Sequence, residues 1–164
     1  MLYSRCMKLV LIALLCGACV LFFFPNSSAQ NAASDAPDYS GMYSFLKEGE
    51  FMQITLEDKG AVSGFISRFG DSENDKGTFL DQFIKSGTSN GEQLNFTTES
   101  VHGVSYTFEG AFDRGPGKKA DEDGYYVLRG TLTRNVTAPD GKNASTQNSQ
   151  VEFRSFPRDT TPPQ

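Results

Sequence analysis

The stretch that decides the fold is VSYTFEGAF, residues 104–112. Within it, Val104, Tyr106 and Phe108 are each followed by a small or polar residue. An alternation with a period of two places successive side chains on opposite faces of an extended strand, whereas an amphipathic helix requires apolar spacings of three and four. The stretch therefore predicts a β-strand with one buried face and one solvated face.

Seven other segments are predicted to be strands, and turn residues or polar loops separate them. They are 41–46, 51–57, 61–69, 78–85, 93–98, 125–133 and 151–156. Because most of the connections are short, the strands predict an antiparallel meander, which buries its apolar face best by closing on itself. We predict an all-β fold, a meander of about eight strands in a closed or nearly closed up-and-down barrel. An open sandwich of two sheets is the alternative.

Three connections are long enough to carry binding groups, at 70–77, 114–124 and 134–150. In a meander, consecutive connections alternate between the two ends of the barrel. The acidic residues of 71–75, the His102–Gly103 turn and the 134–150 loop should therefore share one end, opposite 114–124.

The N-terminus has the composition of an export signal. Arg5 and Lys8 precede an uninterrupted apolar run, 9–24, and small residues lead up to Ala29. This pattern predicts a signal peptide at 1–29 and a periplasmic or extracellular protein. A lipid anchor at Cys19 and an uncleaved membrane anchor are the alternatives. After the signal we predict a flexible tether at 30–38, a single β-barrel domain at 39–157 and a disordered tail at 158–164.

Charge and cysteine content exclude several classes of function. All three cysteines lie within 1–29, so the mature domain would have no disulfide and no thiolate chemistry. The chain has a net charge of −5, and losing Arg5 and Lys8 with the signal makes it −7. Nucleic acid and anionic lipid both require clustered basic residues. We therefore predict no nucleic-acid partner and no membrane insertion after signal removal; the oligomeric state is left open.

No recognisable catalytic or metal motif is present. His102 is the only histidine, and a zinc site on one imidazole plus carboxylates is uncommon. The acidic run 71–75 lacks the glycine at the sixth position and the glutamate at the twelfth that an EF-hand requires. No G-x-S-x-G nucleophile motif occurs. We predict no catalytic residues, no metal and no cofactor, with His102 favoured as a turn residue.

A small ligand would approach the end that bears His102 and rest on inward-facing aromatics. We also single out the carboxylate of Asp81, because it lies between Phe79 and Phe83 on one strand face. The candidate ligand-binding residues are Phe96, His102, Tyr106, Phe108, Tyr126 and Asp81. The alternative for the four aromatics is that they simply fill the core.

The strand count and the domain length resemble those of lipocalin and avidin barrels, which hold small ligands inside. Lipocalins carry a Gly-x-Trp near the first strand, and avidin-type biotin sites are walled with tryptophan. Here Gly41 is followed by Met42 and Tyr43, and the chain contains no tryptophan. The resemblance therefore implies architecture only, because fold does not fix function.

These observations favour an exported, non-catalytic binding or interaction domain. Its partner would be a small apolar molecule inside the barrel or another protein. One alternative is a small enzyme, such as a cyclase, isomerase or hydrolase, that uses carboxylates and His102. The other is a structural envelope protein with a filled core.

Overall fold

A computed structural model of the protein describes residues 37–138 and 144–159. Its eight strands are β1 (Gly41–Ser44), β2 (Phe51–Leu56), β3 (Val62–Phe69), β4 (Phe79–Asn90), β5 (Gln93–Thr98), β6 (Val104–Arg114), β7 (Tyr126–Thr137) and β8 (Ala144–Arg154). Single 3-10 turns lie at Asp58–Gly60 and Glu73–Asp75. None of the helical segments in this part of the chain could cross a membrane. The predicted signal peptide lies outside the described residues.

The strands form one antiparallel sheet in which every strand pairs with its neighbour in sequence, from β1 to β8. The stretch that alternates most strictly lies in β6, which pairs with β5 and along its full length with β7, from Val104 opposite Val136 to Arg114 opposite Tyr126. The predicted all-β meander is confirmed.

The sheet curls until its first and last strands meet. Tyr43 and Ser155 form an antiparallel bridge, and the Phe156 amide donates to the carbonyl of Met42 at 2.8 Å. The Arg154 amide donates to Ser44 Oγ at 3.0 Å. This short seam nearly closes the barrel, in agreement with the prediction.

Aromatic rings fill the centre of the barrel. Phe108 is fully buried, with its ring centroid 5.4 Å from that of Phe96 and 6.1 Å from that of Phe153. The ring of Phe45 lies 5.3 Å from Phe153 and 5.4 Å from Tyr106. Rings from β5, β6 and β8 and from the end of β1 thus contact one another inside the barrel, as in small barrels whose interior is packed.

Three strands extend beyond their predicted boundaries. The loop predicted at 134–150 is much shorter, because β7 continues to Thr137 and β8 begins at Ala144. Residues 144–150 are polar and almost all exposed, so no apolar alternation marks them, and their strand is defined by backbone pairing with β7. Likewise β4, which was predicted to end at residue 85, runs to Asn90, and its hairpin turns at 91–92.

Arg158, within the predicted tail, contacts the barrel. The Arg158 amide donates to the carbonyl of Ala120 at 2.9 Å, and its guanidinium donates to the carbonyl of Ser40. The guanidinium also lies over the ring of Tyr126, 5.5 Å from its centroid. Arg158 therefore closes one end of the barrel; residues 160–164 lie outside the described part of the chain.

Candidate functional site

One end of the barrel, here the His102 end, carries the connections 45–50, 70–78 and 99–103. The opposite end carries 57–61, 91–92 and 115–125. At the His102 end, Val101 and Val104 exchange backbone hydrogen bonds of 2.9 and 3.1 Å around a two-residue turn. His102 and Gly103 have φ of +50° and +77°. Positive φ at both positions is the signature of a type I′ turn, which favours Asn-Gly, so a histidine there carries strain of roughly 1–3 kcal/mol.

The imidazole of His102 is held by the β3–β4 connection. His102 Nδ1 lies 2.8 Å from Asp75 Oδ2, and Ser72 Oγ donates to the same oxygen at 2.6 Å. The hydrogen bonds from Ser72 and His102 lower the pKa of Asp75 below its ordinary value. An ionised carboxylate only accepts hydrogen bonds, so Nδ1 must carry the proton and Nε2 is left for a ligand.

This cluster orients the imidazole but does not activate a nucleophile. A catalytic serine would donate its hydrogen bond to the histidine. Ser72 donates instead to Asp75 Oδ2, the oxygen that His102 also contacts, so the serine bonds the carboxylate and not the imidazole. The side chain of His102 is 58% exposed. The arrangement therefore presents one fixed hydrogen-bonding nitrogen at the barrel rim.

A buried arginine, Arg68, lies behind this rim and was not among the predicted site residues. Arg68 is only 2% exposed; its Nε donates to Gln82 Oε1 and its Nη1 donates to Asp71 Oδ2 at 3.0 Å. Gln82, also buried, donates from Nε2 to the carbonyl of Val104 at 2.7 Å. The sequence could have predicted that Arg68 points inward, because it is two residues from the apolar Ile66 on β3 and such side chains lie on the same face of a strand.

A second arginine reaches the same carboxylate. Arg134 Nη2 donates to Asp71 Oδ2 at 2.8 Å, and the guanidinium also hydrogen-bonds the hydroxyl of Tyr106. Partial burial acts to raise the pKa of Asp71, but the hydrogen bond from Arg134 and the charge of Arg68 outweigh it, and the pKa is lowered. Burial raises the pKa of Tyr106. The two arginines, Asp71 and Tyr106 thus form the polar floor of the His102 end.

Two adjoining hollows lie at the His102 end, and the smaller one opens over this floor. The smaller, about 190 Å3, is lined by Arg68, Asp71, Arg134 and the His102–Asp75 pair, among others. The larger is a cleft of about 800 Å3 lined by Ser72, Asn74, Asp75, Ser100, His102, Gly103, Thr137 and Ala138. The two share Ser72, Asp75 and His102, so the His102–Asp75 pair forms the wall between them.

The structure does not bring the six predicted ligand-binding residues together. His102 lies at the rim and Tyr106 in the floor beneath it, whereas Phe96 and Phe108 are buried in the core. Tyr126 lies at the opposite end, beside Arg158. The sequence predicted that these aromatic side chains point into the barrel. Because β7 begins at Tyr126, however, the Tyr126 ring lies a full strand length from His102.

Asp81 lies on the outer face of the barrel. It is opposite Ser67 on β3, whose hydroxyl donates to Asp81 Oδ1 at 2.7 Å. It is exposed and does not point into the barrel, so it takes no part in the His102 end. Within residues 37–138 and 144–159, no group of three or more His, Cys, Asp or Glu side chains could hold a metal ion.

Comparison with known proteins identifies a fold but no family. No family model matches the sequence, and no curated protein matches it. Among solved structures, the rhizavidin–biotin complex superposes with a TM-score of 0.53 at 13% identity, covering 71% of this chain and 99% of that one. Apo short afifavidin gives a TM-score of 0.51 at 15% identity, covering 74% and 98%. The chain therefore folds as an avidin-like barrel.

Proposed function

We propose that this protein is an exported, non-catalytic binding domain that holds a small polar molecule at the His102 end of its barrel. The observation that carries the proposal is the cleft of about 800 Å3 walled by the His102–Asp75 pair. A cleft with a few fixed polar groups on a rigid scaffold is typical of small-ligand sites. Avidin-like architecture, shared with rhizavidin, supports the same class of function.

The exposed polar groups define what the ligand needs. With Nδ1 bonded to Asp75, His102 offers Nε2 as an acceptor when its ring is neutral. Arg134, which is partly exposed and lines the smaller hollow on the other side of His102, offers guanidinium donors, so a ligand that reaches both groups spans the two hollows. A complementary ligand therefore carries both a hydrogen-bond donor and an acceptor. A ligand of this kind differs from the apolar molecule expected from the sequence, because aromatic side chains already occupy the interior.

Biotin is the first probe, because solved complexes of the similar rhizavidin and afifavidin chains contain it. This chain lacks tryptophan, and Phe96, Phe108 and Phe153 pack against one another inside the barrel. We therefore expect no tight biotin complex, measured as no change in melting temperature at millimolar biotin. A large upward shift would show instead that the core opens to admit it.

The decisive experiment begins with the exported protein as purified. Native mass spectrometry should detect a co-purifying small molecule, whose affinity is then measured by calorimetry after its removal. His102→Asn keeps the turn while removing the imidazole, and Arg134→Gln removes the guanidinium; each should weaken binding at least tenfold. Arg129→Gln is the matched control, because Arg129 lies on the same strand but is exposed and pairs with Asp113 and Glu152.

Equal affinity in all three variants would overturn the proposed site. Binding lost in Arg129→Gln alone would place the ligand on the outer surface. Sequencing the N-terminus of the secreted protein tests the export component separately: a mature chain that begins at Gln30 would support the signal peptide.

A further inference from the structure

The outer face of β2, β3 and β4 carries an unusual concentration of phenylalanine. We call this the aromatic patch: Phe51, Phe65, Phe69, Phe79 and Phe83. In register, Phe65 lies opposite Phe83 and Phe69 opposite Phe79, with ring centroids 5.9 and 4.4 Å apart. Phe51 extends the row, 6.0 Å from Phe65. The rings therefore form two groups on one face of three strands, with the Ser67–Asp81 pair between them.

The rings of β4 are the exposed part of this surface. Phe79 and Phe83 are 46% and 57% exposed, the two largest such values among the phenylalanines in the described residues. Aromatic side chains gain by burial, and a contiguous apolar patch on a soluble protein marks an interaction site more often than an isolated apolar residue does. The inner face of β4 contacts the interior through Gln82 and Ile84, so these outer rings are not needed to build the core.

A single carboxylate lies at the centre of the patch. Asp81 is two residues from both Phe79 and Phe83, so all three side chains share one face of β4. Its Oδ1 accepts from Ser67, and within 37–138 and 144–159 no basic side chain forms an ion pair with it. An ionised carboxylate accepts several hydrogen bonds, so Asp81 keeps capacity for a donor from outside.

The arrangement selects among possible partners. An anionic lipid surface is repelled by a carboxylate at the centre of the contact. A second copy docked symmetrically about this centre would place Asp81 against its own copy, which is a like-charge contact. A cation is attracted both by the carboxylate and by the faces of the flanking rings. The charge of the patch therefore favours a cationic partner with apolar neighbours.

We propose that the aromatic patch docks a protein segment in which one arginine or lysine lies between apolar side chains. The basic group pairs with Asp81, and its apolar neighbours cover Phe79 and Phe83. This interaction is separate from the ligand site, because β4 presents Gln82 to the inside and Asp81 to the outside. The two can therefore be tested independently.

The test is an NMR titration of the ¹⁵N-labelled mature protein with the capped peptide acetyl-Leu-Ser-Arg-Ser-Leu-amide, in which the arginine and both leucines share one face when the peptide is extended. Shift changes should be confined to β3 and β4, and the affinity should be about tenfold higher than for acetyl-Leu-Ser-Gln-Ser-Leu-amide, which lacks the charge. Asp81→Asn should abolish that difference. Phe83→Ser should weaken both peptides. Glu109→Gln, an exposed carboxylate on β6 with no patch ring beside it, should change nothing.

Four results would overturn the proposal. Equal binding of the two peptides, or an unchanged preference in Asp81→Asn, would remove the role of the charge. A concentration-dependent dimer in sedimentation that Phe83→Ser abolishes would assign the patch to a second copy. Sedimentation with phosphatidylglycerol vesicles, lost in the same variant, would assign it to lipid.

Discussion

At the scale of single residues, His102 combines an unfavourable backbone conformation with an unusually well-fixed side chain. Its φ of +50° suits glycine or asparagine, and Asp75 holds its Nδ1 at 2.8 Å. Strain of this kind persists where the surrounding structure imposes it, and it concentrates at functional sites. The imidazole, and not the turn, is therefore the reason for histidine at this position.

The turn and the side chain can be separated by substitution. His102→Asn should leave the free energy of unfolding unchanged or raise it by up to about 1 kcal/mol, because asparagine tolerates left-handed φ. His102→Ala should be less stable than His102→Asn. Urea unfolding measures both. Lys59→Asn is the control, because Lys59 also has a positive φ, +63°, but lies at the opposite end. A loss of more than 2 kcal/mol in His102→Asn would show that the Asp75 contact stabilises the fold.

The pKa of Asp71 makes a prediction about acid stability. Because this pKa is lowered in the folded protein, the ionised group stabilises the fold above the ordinary value of about 3.8, and that contribution is lost as the pH falls through the folded pKa. Asp71→Asn should therefore be less stable than the parent at pH 7, and the difference should shrink below pH 3.8. Urea unfolding at pH 7 and pH 3 measures this.

The control for the acid prediction is Asp121→Asn, which removes an exposed carboxylate of the 115–125 loop. The free energy of unfolding of Asp121→Asn should equal that of the parent at both pH values. A constant difference between Asp71→Asn and the parent across this range would mean that neutral packing, rather than charge, holds Asp71 between its arginines.

At the scale of strands, β6 and β7 approach closely where two glycines face each other. Gly110 is opposite Gly130, and a Cβ on Gly110 would lie 2.2 Å from the carbonyl oxygen of Arg129 and 2.5 Å from the ring of Phe108. The Phe108 ring therefore packs over the bare backbone of this pair. The absence of side chains lets the strands coil sharply, as a small barrel requires.

Filling this position should therefore be costly. Gly110→Ala should lower the free energy of unfolding by about 1–3 kcal/mol, the range found for overpacked cores. Glu109→Ala, its solvent-facing neighbour, should cost little. Chemical denaturation of both variants measures the contrast. Equal midpoints would mean that β6 and Phe108 shift to accommodate the methyl group.

The strands also show where sequence patterns are informative. β6 could be predicted because Val104, Tyr106 and Phe108 bury alternate side chains. Residues 144–150 could not, since an exposed strand is held by backbone hydrogen bonds that leave no apolar pattern. Arg68 and Gln82 were missed for a related reason. In the sequence, each member of a buried polar pair resembles a solvent-facing residue, because its partner on the next strand is not known.

At the scale of the whole molecule, the sequence predicts which connections share one end of the barrel better than it predicts which side chains form the site there. The alternation of connections correctly placed the 71–75 segment beside His102, because every strand pairs with its sequence neighbour. The alternation of side chains along a strand predicts which residues point inward but not how far along the barrel axis they lie, and Tyr126 lies at the end opposite His102. The filled core and the polar floor depend on the lengths of the side chains, and a pattern of alternating apolar and polar residues does not predict how those side chains fill the interior.

The seam between β1 and β8 has a consequence for the order of folding. Its Arg154–Ser44 contact joins residues 110 apart in sequence, whereas the other strand pairs are hairpins. Closing so long a loop costs more conformational entropy than forming a hairpin. The seam between β1 and β8 should therefore form after the meander has assembled. A circular permutant that joins residues 37 and 159 through a short linker and opens the 91–92 turn converts the seam into a hairpin. Stopped-flow refolding of this permutant should be slower than that of the parent, because the long-range step becomes the full β4–β5 pairing in place of the short seam.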